Sequence, residues 1–134
     1  MKKILFQILA AASLMIGVQA ANAQSPLLVT AAAATDGVGT QTARLAIGVS
    51  AADGSGVGNL TAANFQFGTF GLPVGGSCGF NTIVSVNYTA GVYLMKVAMP
   101  NLAMCSTVKG EYLMSVNVSS GTSFAMIPVK LTVK

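Results

Sequence analysis

The side chains in this sequence that can do chemistry are few. Cys78 and Cys105 are the only cysteines, Asp36, Asp53 and Glu111 the only acids, and no histidine occurs among the 134 residues. A catalytic carboxylate pair would have to come from those three acids. Asp36 and Asp53 lie in glycine-rich stretches, where Asp ordinarily serves the backbone of a turn, and Glu111 follows Gly110 at the start of an extended run. A serine nucleophile has no imidazole to take its proton, no Ser–Lys motif stands out, and G-x-S-x-G is absent. Gly54-Ser55-Gly56-Val57-Gly58 lacks the lysine and the following helix of a phosphate loop, so it reads as a turn. Met95, Met99, Met104, Met114 and Met126 offer thioethers of the kind Cu(I) accepts, but most of them alternate within apolar runs, as core-filling methionines do. The expectation is a non-enzyme with no catalytic residue, metal ligand or cofactor.

The cysteines take their meaning from the compartment. Met1-Lys2-Lys3 is a short cationic start, and Ile4 to Val18 is an apolar stretch of about 15 residues, shorter than the ~20 that span a bilayer. Ala21-Asn22-Ala23 then places small residues where a signal peptidase needs them, so residues 1–23 read as a cleavable export signal of bacterial type, with Gln24 as the mature N-terminus. No cysteine follows the cut to carry a lipid, and no later segment holds 18 consecutive apolar residues. The product is expected in the periplasm, at the cell surface or outside. There, an even pair of cysteines without C-x-x-C spacing predicts a Cys78–Cys105 disulfide. The bridge would close a loop of about 28 residues, worth roughly 3–4 kcal/mol by chain entropy.

Charge is sparse. Beyond the leader stand Arg44, Lys96, Lys109, Lys130 and Lys134 against the three acids, a net of +2. Eight charged side chains in about 111 residues are far below the roughly 25% of an ordinary soluble domain, and they exclude a nucleic-acid binder working through a basic face.

The elements that must position these groups are strands. Thr42–Ser50 alternates, with Leu45, Ile47 and Val49 on one side. Leu60–Phe67 follows a turn cluster with Leu60, Phe65 and Phe67 as anchors, and Gly68–Gly79 reads as irregular, with five glycines and Pro73. Thr82–Tyr88 presents Val84, Val86 and Tyr88 together; Val92–Met99 aligns Tyr93, Met95, Val97 and Met99. Lys109–Val118 aligns Tyr112, Met114, Val116 and Val118, and Thr122–Val133 closes the chain with Pro128 on its outer face, a sign of an edge or bulge. Leu27–Ala34 is a further candidate strand weakened by its alanines. No window of 11 residues keeps a helical period. Six or seven short strands predict an all-β antiparallel sandwich over residues 42–134, behind an N-terminal segment, 24–41; a small barrel is the competing architecture.

G-x-Y-L-M-x-V occurs twice, at Gly91–Val97 and Gly110–Val116, 19 residues apart. A single pair is not a solenoid repeat; it predicts two strands that enter the core alike, each burying a tyrosine ring with its hydroxyl at the rim. A hairpin of Thr82–Tyr88 and Val92–Met99 about Ala90 would put both cysteines at its open end, 12 and 15 positions from the centre.

Together, Asp53-Gly54, the stretch Gly58-Asn59-Leu60-Thr61-Ala62-Ala63-Asn64-Phe65 and the two Gly-x-Tyr starts resemble the immunoglobulin-like modules of exported and cell-surface bacterial proteins. The resemblance covers 42–133 and implies an immunoglobulin-like sandwich of about seven strands. It departs from antibody-type domains in having no Trp and in cysteines too close for the bridge between the second and sixth strands. It implies a spacer, an adhesive tip or a ligand binder.

Three functions follow in order. The first is an exported, non-catalytic interaction module with a protein or cell-surface partner; the loops best suited to hold a ligand, Gly68–Phe80 and Pro100–Lys109, carry no diagnostic side chains and assign no binding residue. The second is a pilin-like subunit of a surface assembly, for which the feeble charge speaks and the complete C-terminal run Phe124–Val133 does not. The third is a methionine-based copper carrier or small hydrolase. Expression with the leader in a host with a periplasm is expected to yield a product starting at Gln24 with no titratable thiol. Intact-mass analysis with and without reduction checks both expectations.

Overall fold

A computed structural model describes residues 26–101 and 103–134, so the expected leader, residues 1–23, and its expected cleavage site lie outside the described residues. Seven strands form: β1 (Leu28–Thr35), β2 (Thr42–Ser50), β3 (Phe65–Gly71), β4 (Thr82–Thr89), β5 (Val92–Ala98), β6 (Gly110–Ser120) and β7 (Ser123–Val133). They make two antiparallel sheets, β1-β2-β5-β4 and β3-β6-β7, packed as an open sandwich.

The alternation dictates which faces meet. Leu45, Ile47 and Val49 of β2 and Tyr93, Met95 and Val97 of β5 are buried from one sheet; Tyr112, Met114, Val116 and Val118 of β6 and Val129, Leu131 and Val133 of β7 are buried from the other. Pro128 faces outward on β7, the edge of its sheet, where its missing N–H interrupts no further ladder. The alanine-rich segment is a full strand: Val29, Ala31 and Ala33 of β1 lie opposite Val49, Ile47 and Leu45 and pack on the core. Tertiary pairing overrides the weak strand preference of alanine.

Two sequence expectations need correction. Leu60–Phe67 is not one strand. Asn64 accepts the Thr61 N–H on its side-chain oxygen (2.8 Å) and donates its own N–H to the Thr61 carbonyl (2.9 Å), which closes a single 3-10 turn at Ala62–Asn64. β3 therefore begins at Phe65 and runs to Gly71, into the stretch expected to be irregular. In β4 the side facing inward changes partway. The register slips between Ile83 and Ser85, which leaves Val84 exposed and turns Ile83 and Val86 toward the core. Tyr88 keeps the inward side, half-exposed at the sheet edge, with its ring 4.7 Å from that of Tyr93.

The expected hairpin about Ala90 is present. Thr89 and Val92 pair across Ala90 and Gly91, which have φ of 51° and 83°, the left-handed geometry that a two-residue hairpin turn demands.

The repeated tyrosines act at opposite ends of the sandwich. Tyr93, at the start of β5, donates its hydroxyl to the Val57 carbonyl (2.6 Å) and accepts the Leu60 N–H (3.1 Å), anchoring the β2–β3 connection. Tyr112, at the start of β6, accepts the Val108 N–H (2.9 Å) and anchors the β5–β6 connection. Each ring has a phenylalanine beside it, Phe65 at 5.2 Å from Tyr93 and Phe80 at 5.4 Å from Tyr112. Tyr112→Phe, leaving one N–H without its acceptor, is expected to cost about 1–2 kcal/mol, and Tyr93→Phe, leaving two groups, more than that. Urea denaturation of both variants checks the order.

Candidate interaction site

Three connections converge at the end of the sandwich where β6 begins: β1–β2 (residues 36–41), β3–β4 (72–81) and β5–β6 (99–109). The first and the second are each tied to the third. Thr107 is buried, donating its hydroxyl to the Gly37 carbonyl (2.6 Å) and its N–H to the Thr40 carbonyl (2.8 Å), while its own carbonyl accepts the Gly39 N–H (2.9 Å). Gln41 donates its amide to the Cys105 carbonyl at 2.6 Å. Cys105 is buried and bonded to Cys78, with Cα atoms 5.6 Å apart, so the expected disulfide joins the second connection to the third.

The β3–β4 connection is held at two further points. Phe80 is fully buried, its N–H donated to the Thr69 hydroxyl (3.0 Å) and its ring edge-on to Tyr112, a burial that stabilises by about 2 kcal/mol. Pro73 packs against Gly110, where a Cβ would come within 2.5 Å of the proline ring and only glycine fits. The chain then turns at Val74 and Gly75, closed by the Gly76 N–H to the Pro73 carbonyl (2.9 Å), with Gly75 at φ +84°.

On this braced platform large apolar side chains face water. Val74, in the turn, is fully exposed, Met104 is 88% exposed and Phe70 63%, and Leu72 and Val38, on connections of the same end, are about half-exposed. Phe70 falls on the outward side of β3 with Gln66, one residue out of step with the buried Phe65 and Phe67. Both loops singled out in the sequence thus contribute, and the disulfide fixes one to the other. Phe70 and Leu72 were not legible as surface residues, because residues 68–79 read as irregular, with no strand to set their sides.

Charge gathers in the same half. Arg44 and Lys96 lie side by side in register near the start of β2, Lys130 stands opposite Leu113, and Lys109 and Lys134 flank the starts of β6 and the end of β7. Asp36 pairs with Arg44 (2.9 Å) and accepts the Thr42 hydroxyl (2.6 Å); Glu111 pairs with Lys130 (3.0 Å) on the outer face of the three-stranded sheet. Asp53 is at the opposite end, where it accepts the Ser55 N–H at 2.9 Å within a turn closed on its own backbone. The three carboxylates weighed for acid–base work therefore stand apart, each serving a local partner, and the glycine stretch 54–58 is that turn.

The thioethers also separate. Met95, Met99 and Met114 fill the core, whereas Met104 is on the β5–β6 loop and Met126 on the outer face of β7. Among the described residues no three Asp, Glu, His or Cys side chains converge as a metal site would require. A shallow trough of about 420 Å³ lies on the outer face of the four-stranded sheet, floored by Ala32, Ala34 and Ala46 with Arg44, Leu94 and Lys96 beside it.

The Thr42 hydroxyl, and after it the Arg44 guanidinium, hold the Asp36 carboxyl below its ordinary 3.8, outweighing the opposing effect of partial burial. A carboxyl lowered in the folded state contributes stability that is complete above its unfolded value and is lost as pH falls through the folded one. Asp36→Asn is therefore expected to flatten the decline in urea midpoint between about pH 5 and about pH 2. A parallel titration of the Asp53→Asn variant reads the Ser55-bonded carboxyl, which is lowered likewise.

Comparison with protein-family models, with curated proteins and with solved structures finds no match to this chain.

Proposed function

We propose that the chain is an exported, non-catalytic immunoglobulin-like module that works by contact at the cell envelope or surface, engaging its partner through the disulfide-braced end. The strand order supports the first part. With β1 to β7 taken as A to G, the sheets run A-B-E-D and C-F-G, the arrangement of constant-type immunoglobulin domains. Tyr112 stands near the start of the sixth strand and ties its hydroxyl to the backbone four residues upstream, as the tyrosine corner of such domains does. The bridge is placed differently, between the third and fifth connections rather than across the sheets.

One observation carries the contact role: Val74, Leu72 and Met104, on loops that a disulfide, a buried phenylalanine and a buried threonine brace, and Phe70, near the end of β3, are all exposed at the same end of the sandwich. Scattered exposed apolar residues are ordinary, but several at one rigid end, two of them almost wholly in water, favour an interaction surface. Rigidity lowers the ordering cost of binding.

The second reading, a subunit that exchanges strands with its neighbours, draws on the low charge. The sheet edges weigh against it. β3 and β4 carry register shifts, β7 carries Pro128, and β1 lies against β7, each of which blunts pairing with a further strand.

The test is a Val74→Ser/Met104→Ser variant of the oxidised, processed chain. Both positions are open, so folding stability is expected to stay within about 0.5 kcal/mol. Association with the envelope fraction of the producing cells should fall about tenfold or more, the loss of one hot-spot contribution. Undiminished association would overturn the assignment of the site. Light scattering on the eluting peak should find a monomer; an open-ended assembly would favour the second reading.

A further inference from the structure

We infer that the surface met by this end is an anionic lipid bilayer, an inference that rests on the contact role proposed above and names its partner. Three observations converge. The first is exposure. Val74 sits in a tight turn and is exposed over its whole surface, with Met104 nearly so on the loop that the disulfide joins to it. Such exposed apolar groups need either a matching pocket or a medium that yields to them, and the interfacial region of a bilayer yields.

The second is charge. All five cationic side chains of the described residues, Arg44, Lys96, Lys109, Lys130 and Lys134, lie in the half of the sandwich that carries the apolar tip, against only Asp36 and Glu111. Asp53 lies in the other half, in the β2–β3 connection. The side chains thus give an excess of three positive charges at the tip half and one negative charge at the far half, a dipole that turns the tip toward a negative surface. Lys109 and Lys134 have no ion-pair partner among the described residues, so their charge is available to lipid phosphates.

The third is rigidity. Pro73 against Gly110 and the Cys78–Cys105 bridge fix the two apolar loops to the sandwich and to each other. Insertion then costs little ordering of the chain.

The sequence contains no Trp, which makes Val74→Trp a single reporter in the oxidised, processed chain. With vesicles of phosphatidylcholine mixed with phosphatidylglycerol, its emission should shift to the blue, and the protein should float with the vesicles. Phosphatidylcholine alone should bind about tenfold more weakly, and added salt should weaken binding to the anionic vesicles. Val74→Ser/Met104→Ser should lose flotation on anionic vesicles, and Lys109→Ala should reduce it. Unshifted emission, equal binding to both lipids, or self-association without flotation would each overturn the inference. Should flotation fail while envelope association still depends on Val74 and Met104, the lipid inference falls and the contact role stands. Should both fail, both fall.

Discussion

Every other side chain of four strands points into one narrow apolar layer, and this constraint governs the molecule. β2 and β5 supply it from one sheet, β6 and β7 from the other, and their inward residues are almost wholly excluded from water. Because the side-chain period is two, a slip of one residue anywhere in these strands would turn an entire apolar row outward. The register is therefore strongly determined in the centre, where both neighbours are paired. It relaxes at the edges, where β3 and β4 carry irregularities without disturbing the core.

The ends of that layer are closed by a device used twice. A glycine starts the strand, a tyrosine two residues later buries its ring, and the hydroxyl at the rim reaches a backbone group of a connection that would otherwise be loose. At one end this fastens the β2–β3 connection over Tyr88 and Tyr93. At the other it fastens the β5–β6 connection, and Phe80, Thr107 and the disulfide add to it. The two ends consequently differ in character. One carries a glycine-rich polar turn around Asp53, with Leu28 and Phe124 about half-exposed; the other is a braced tip with Val74 and Met104 almost wholly in water. With so few charges in the chain, the placement of each one weighs heavily, and they gather beside the tip.

Most of the strand faces were legible because alternation is a local signal. Leu45, Ile47, Val49, Tyr93, Met95, Val97, Tyr112, Met114, Val116 and Val118 all lie where the pattern puts them. The elements that escaped were those settled by partners distant in sequence. β1 is a strand because β2 offers it a ladder, not because alanine favours one. Val84 is outward because the chain bulges against Val97 and Lys96 of β5, and the segment before Phe65 is a turn because Asn64 spends its amide on Thr61 and on the Ser119 carbonyl at 2.9 Å. The loops of the candidate site were legible as loops. That they share one end, and that Phe70 joins their surface, was not.

By itself the amino-acid order determined the period of burial, the hairpin at Ala90-Gly91 and the poverty of charge, since each depends on residues within a few positions of one another. It also named the pair of cysteines available for a bridge. Only the tertiary structure decided how the strands divide between two sheets, which connections meet, and which apolar side chains are left in water. Those outcomes depend on contacts between segments tens of residues apart, whose geometry is set by the packing of the whole sandwich rather than by any stretch of chain alone.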